Sequence, residues 1–153
     1  MLKNGKKWER SIKKLIKTGF LGEYAHSLDE KGRVSIPSIY KKYIEELSSA
    51  PDAGNKLILV KGRDKCIEAF PAEAWSKMVG DYNQTRSLTD ASDNREIREK
   101  SRNSFPAVID KSGRIRIPGR LQELAGIKKT VIFIGVIDRF EIWDEKELQK
   151  TNK

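Results

Sequence analysis

A chain of 153 residues suffices for one compact domain or two small intertwined ones, because a core of this size buries roughly two-thirds of the unfolded surface. Its single cysteine, Cys66, and single histidine, His26, exclude an internal disulfide and the usual Cys/His zinc tetrad within one chain, so no metal and no cofactor is expected. The formal charge of +9 points to a polyanionic partner, yet Lys3, Lys6, Lys7, Arg10, Lys13, Lys14 and Lys17 against Glu9 alone put +6 of it into residues 1–18.

Residues 1–18 therefore form a basic N-terminal extension. Trp8, Ile12, Leu15 and Ile16 recur at helical spacing, which fits an amphipathic basic helix; a solvated cationic arm fits the same composition. No apolar run approaches the ~20 residues that cross a bilayer, and the N-terminus lacks a secretory apolar segment. The expectation is a cytoplasmic protein with no membrane partner.

The body opens on Asp29-Glu30-Lys31-Gly32-Arg33-Val34-Ser35-Ile36-Pro37, which recurs as Asp110-Lys111-Ser112-Gly113-Arg114-Ile115-Arg116-Ile117-Pro118. Both read D-x-x-G-R-[VI]-x-I-P, an internal repeat that decides the architecture before any single residue does. Gly32 and Gly113 follow two polar residues each, the pattern of a tight turn between two short strands. Beyond each turn Val34/Ile36 and Ile115/Ile117 share one strand face, and Arg33/Ser35 and Arg114/Arg116 share the other, outside a small apolar core.

After each proline comes a short helical stretch, around Ile39–Leu47 and Leu121–Gly126, since proline is tolerated in a first helical turn. Two β-rich runs follow in each copy: Leu57–Val60 and Cys66–Phe70 in the first, Val131–Ile134 and Phe140–Trp143 in the second. Each copy thus reads strand, turn, strand, short helix, strand, strand. Cys66, inside an apolar run, is expected to be a packing residue.

Between the copies, Ala72–Tyr82 is predicted as an amphipathic helix whose Trp75, Met78 and Val79 stripe joins the core, and Asp90–Phe105 as a second helix. The resulting division is 1–18 extension, 19–86 first repeat with its trailing helix, 87–104 connecting helix, and 105–153 second repeat with a C-terminal helix.

Asp29 and Asp110 each precede an arginine by four residues, which places carboxylate and guanidinium across one turn. Such a pair reads either as an ion bridge that steadies the turn or as a guanidinium fixed in advance for a ligand. Exposed ion pairs add little stability, a weak reason to build one twice. Lys31, Arg33, Lys111, Arg114 and Arg116 cluster on or beside the turns, the kind of cationic row that phosphate contact requires. Walker loops, metal clusters and a base near neutral pH beyond His26 are missing from the sequence, so no catalytic residue is expected and the chain is not read as an enzyme. A protein-interaction scaffold that uses the arginine motifs between subunits is the rival reading.

With these residues in view, the stretch from Phe20 to Glu147 resembles the MraZ family. The features that carry the likeness are Phe20-Leu21-Gly22-Glu23-Tyr24, both D-x-x-x-R motifs, and the closing Gly135-Val136-Ile137-Asp138-Arg139-Phe140-Glu141-Ile142-Trp143-Asp144. The resemblance implies an α+β, β-rich fold: two AbrB-like swapped-hairpin half-barrels closing into one pseudo-two-fold barrel, with helices between and after the copies. It further implies a nucleoid-associated regulator that binds direct-repeat boxes in double-stranded DNA upstream of the division and cell-wall gene cluster, working as a ring homo-oligomer. The family's DNA-contacting positions carry over to Lys31 and Arg33 and to Lys111 and Arg114. Family sequences begin near the position of Phe20, so residues 1–18 are either a genuine basic arm or the product of a start codon placed upstream.

Overall fold

The computed structural model describes residues 18–48, 54–85 and 91–151. The extension and its apolar stripe, apart from Thr18, lie outside them. In chain order the elements are β1 (Glu23–Ser27), β2 (Arg33–Ser35), α1 (Ser38–Leu47), β3 (Lys56–Lys61), β4 (Ile67–Pro71), α2 (Ala72–Thr85), α3 (Ala91–Arg102), β5 (Ser104–Val108), β6 (Arg114–Arg116), α4 (Gly119–Ala125), β7 (Thr130–Gly135), β8 (Phe140–Asp144) and α5 (Glu145–Thr151). The fold is α+β, with every paired strand antiparallel.

Six strands form one sheet in the order β1-β7-β8-β4-β3-β5, and β2 pairs with β6 in a separate ribbon. Exchanging the two copies leaves that order unchanged, so the chain carries an internal two-fold relationship. The leading strand of each copy pairs with the third strand of the other: β1 on β7, β5 on β3. The copies are therefore interlocked, which covers apolar surface that neither half could cover alone.

The closed barrel expected from two half-barrels does not form. The sheet is open, with β1 and β5 as its edges. Past each motif turn the chain leaves the sheet, and β2 and β6 pair with each other, with Val34 and Ile115 turned inward and almost wholly buried. The ribbon thus caps a face of the sheet instead of joining its edges. Pro106, which lacks an N–H, is tolerated on the β5 edge.

The main core lies between that face and the ribbon with α1 and α4. Leu57, Leu59, Ile67, Val131, Phe133, Phe140 and Ile142 of the sheet meet Val34, Ile36, Tyr40, Ile44, Ile115, Ile117 and Leu121 there. Burial pushes the Tyr40 phenol up to about 12, and its hydroxyl donates to the Gly22 carbonyl oxygen at 2.9 Å. A smaller cluster of Cys66, Ile132 and Trp143 packs with Leu148 of α5.

Two sequence expectations fail in the connecting region. The Trp75, Met78 and Val79 stripe stays out of the core, with Val79 exposed and Trp75 and Met78 half-buried, because α2 rides on β3 and β4 while the main core is filled by α1, α4 and the ribbon. Trp75 meets Phe70 at 6.0 Å between ring centroids. The second predicted helix stops at Arg102, and Phe105 belongs to β5, since a residue before proline is driven toward extended backbone.

Candidate nucleic-acid interface

Each motif builds the same turn. Gly32 N donates to the Asp29 carbonyl oxygen at 3.1 Å and Asp29 N to that of Arg33 at 2.8 Å; Gly113 and Asp110 repeat this at 3.0 and 2.9 Å. The glycines stand at φ +78 and +79, where a side chain is strained. Asp29 Oδ1 accepts from the N–H groups of Lys31 and Arg33 at 2.9 and 2.8 Å. Asp110 Oδ1 does the same for Ser112 and Arg114 at 2.8 and 3.0 Å.

With Oδ1 engaged by the backbone, Oδ2 is left for the guanidinium. In the first copy Arg33 Nε donates to Asp29 Oδ2 at 2.8 Å. In the second copy Arg114 Nε lies 3.3 Å from Asp110 Oδ2, an ion pair whose alignment falls short of a hydrogen bond. Both carboxyls are held below the ordinary aspartate pKa, chiefly by the backbone N–H of Arg33 and of Arg114 respectively. They are charged at neutral pH, as the pairing requires.

The ribbon joins the two turns. Arg33 lies opposite Arg116, Val34 opposite Ile115, and Ser35 opposite Arg114. Ile36 N donates to the Gly113 carbonyl oxygen at 2.9 Å, and Ile117 N to that of Gly32 at 2.8 Å, so each strand seals the other copy's turn. Since Val34 and Ile115 face the core, Arg33, Ser35, Arg114 and Arg116 face outward together. Arg33 and Arg114 are half-buried against their aspartates, whereas Arg116, Lys31 and Lys111 are exposed and form no ion pair among the described residues.

All seven residues singled out in the sequence thus gather on one ribbon and its two turns. Sequence reasoning missed Lys41 and Gln122, which hold the same position in α1 and α4. A Cβ on Gly113 would lie 3.9 Å from Lys41 Cδ, while Gln122 Nε2 donates to the Ile117 carbonyl oxygen at 2.7 Å beside Gly32. Aligning the copies past their prolines would have shown this correspondence. No group of His, Cys, Asp or Glu among the described residues is placed to hold a metal ion.

This construction, one D-x-x-x-R turn per copy with the two joined by a shared ribbon, is accompanied by a direct sequence likeness. The family profile of the MraZ protein matches residues 20–98 and 103–153. The chain belongs to the MraZ family. Similar MraZ proteins include one from Acetivibrio thermocellus, 40% identical over 130 residues that cover 84% of this chain and 82% of the relative. Another from Alkaliphilus metalliredigens is 39% identical over 137 residues, covering 87% and 86%. A third, from Clostridium beijerinckii, is 34% identical over 134 residues, covering 88% and 87%. All three bear the name Transcriptional regulator MraZ. The matched span leaves residues 1–19 outside the family profile and takes in both motifs. No helix among the described residues is long and apolar enough to cross a membrane.

Proposed function

We propose that this MraZ-family chain is a sequence-specific DNA-binding transcriptional regulator, and that its contact surface is the outward face of the β2–β6 ribbon with the two turns that end it. The supporting observation is the cross-strand pairing of Arg33 with Arg116, two like charges directly opposite each other on an exposed face. Asp29 offsets the Arg33 charge, but Arg116 has no ion pair among the described residues, so a further anion beside it would relieve the repulsion. A phosphate backbone supplies that anion, and a two-stranded ribbon is narrow enough to enter the major groove.

Arg33 is the principal contact and Asp29 orients it; Arg114 and Asp110 repeat the arrangement. Lys31 and Lys111 bind phosphates around them, and Arg116 completes the same outward face. The targets are direct-repeat boxes upstream of the protein's own operon, in the division and cell-wall gene cluster, and the protein acts in the cytoplasm on the nucleoid. Subunits join in a ring homo-oligomer, so that once one is bound the next contact is intramolecular and affinity multiplies.

A gel shift with the DNA upstream of the protein's own gene tests this reading. Retarded complexes that resist unrelated competitor DNA are expected. The logarithm of affinity should fall with the logarithm of salt at a slope of about −0.9 per phosphate contact. An assembled oligomer that shifts no DNA at low salt would leave the interaction-scaffold reading in its place.

A further inference from the structure

The internal two-fold axis of the ribbon passes between Val34 and Ile115, yet the outward face does not obey it. The axis exchanges Arg33 with Arg114 and Ser35 with Arg116. The first exchange swaps identical side chains, each half-buried against its own aspartate. The second swaps a hydroxyl for a guanidinium, both exposed. One end of the ribbon therefore carries two arginines, Arg33 and Arg116, beside the Asp29–Gly32 turn. The other end carries Arg114 with Ser35.

The skew continues into the flanking helices. Arg120 follows the Arg116 end in the first turn of α4 and is exposed, while Ile39 holds the matching position in α1, 57% exposed. On this face the two aspartate-held arginines repeat, whereas the exposed Ser35 and Ile39 of the first copy are replaced by Arg116 and Arg120 in the second.

We propose that Arg116 is a specificity-determining residue that gives each subunit a direction on its DNA. The inference rests on the DNA-binding reading above. A ribbon with identical ends presents the same donors after rotation by half a turn, so it binds a site and the reversed site equally. Arg33 and Arg114 supply that symmetric part. Arg116 breaks it, because a guanidinium donates two parallel N–H groups to a guanine edge and a serine hydroxyl does not. Rotation would set Ser35 where Arg116 belongs and leave the guanine unread.

Two DNA probes decide the matter. One is the segment upstream of the protein's own gene, with its boxes mapped by footprinting; the other has one box reversed in place. The unmodified full chain is expected to bind the reversed probe about tenfold or more weakly, the discrimination of one good bidentate base contact. Ser35→Arg keeps every cation and gives both ends of the ribbon the same pair of arginines, while Lys31 against Ser112 and Arg120 against Ile39 stay unequal; the difference between the probes should shrink to within about twofold. Arg116→Ser should also bring them closer together, at lower affinity, and the double exchange Ser35→Arg with Arg116→Ser, which moves the arginine pair to the other end of the ribbon, should shift the preference toward the reversed probe.

Discrimination that survives unchanged in Ser35→Arg overturns the proposal, as does an unmodified chain that binds both probes equally. If Arg116→Ser binds too weakly to measure, Ser35→Arg decides alone. Absence of any footprint with the unmodified chain is a separate outcome, and removes the DNA-binding reading together with this one.

Discussion

Arg33 and Arg116 stand directly opposite each other on the outward side of the β2–β6 ribbon, and among the described residues only Arg33 of the two has an acidic partner, Asp29, to offset the repulsion. The fold holds this pair in place through bonds that do not involve it. Val34 and Ile115 anchor the ribbon from beneath, and the Gly32 and Gly113 carbonyl oxygens accept from the opposite strand. The arginines can therefore be changed without dismantling their support.

From that separation follows a split between binding and folding. Arg33→Ala is expected to lower affinity for upstream DNA by about tenfold or more, with circular dichroism and oligomer size unchanged. Asp29→Asn keeps an oxygen for the Lys31 and Arg33 N–H groups but loses the ion pair, so it should weaken binding less than Arg33→Ala does. Fluorescence anisotropy of labelled DNA measures both. Equal affinity for Arg33→Ala and the unmodified chain would remove Arg33 from the interface.

The two turn aspartates contribute to the acid limb of stability. Their folded pKa values are depressed, so the unfolded chain takes up protons first as pH falls. Their contribution is fully present above the ordinary aspartate value and is lost as pH drops through the folded one. Urea unfolding should show stability falling below about pH 4, and less steeply in the double variant Asp29→Asn, Asp110→Asn. An unaltered acid limb in that variant would mean the turns carry none of the linkage.

The repeat itself was legible because its glycines, arginines and prolines each answer a local demand: φ near +78, a turn partner four residues back, a helix start. Strand order was not, since the pairing of β1 with β7 and of β5 with β3 depends on the far half of the chain. The open sheet was missed for the same reason: nothing local in Arg33–Ser35 says that its partner is Arg114–Arg116. At the candidate site, spacing placed Asp29 by Arg33 and Asp110 by Arg114, but the cross-strand face of Arg33, Ser35, Arg114 and Arg116 needed the register. The Trp75 stripe misled because helical periodicity reports an apolar face without saying whether a core has room for it.

Another like-charge pair lies in the main sheet, where Glu68 of β4 faces Glu141 of β8. Arg139 Nε donates to Glu68 Oε2 at 3.2 Å, and Trp143 Nε1 donates to Glu141 Oε1 at 2.9 Å. Desolvation works against the Arg139 charge, but attraction to Glu68 and pairing with Asp138 outweigh it and raise its pKa above the ordinary value. Arg139→Met should cost about 1–3 kcal/mol, the scale for leaving a charged partner without its hydrogen bond. Denaturant unfolding measures the loss, and Glu68→Gln in the same background should recover part of it. No recovery would show that Arg139 acts through its packing on Phe70 instead.

Cys66 should be inert while the chain is folded. Burial, with Glu141, Glu68 and Asp64 nearby, pushes its thiol up to about 12, so almost no thiolate exists near neutral pH. Iodoacetamide at pH 8 is expected to leave the native protein unlabelled and to label it fully in urea, as read by mass spectrometry. Rapid native labelling would show that β4 opens locally.

Gly135 tests the seam by which the first residues of the body join the second copy. A Cβ there would come within 2.4 Å of the Phe20 carbonyl carbon and oxygen and 2.5 Å of Leu21 N, all backbone atoms that cannot turn aside. Phe20 is also tied to Ile137 by reciprocal backbone bonds of 2.7 and 3.1 Å, and its ring is fully buried against Tyr40, Tyr43 and Phe140. Gly135→Ala must push that segment off the sheet or bend β7, and should cost about 2–4 kcal/mol, comparable to emptying a buried aromatic site. By contrast Gly80→Ala, in open space on α2, should be neutral or stabilising by up to about 1 kcal/mol. Thermal unfolding of the two variants side by side separates contact from propensity: equal shifts would mean that the Phe20 segment does not hold its place on β7.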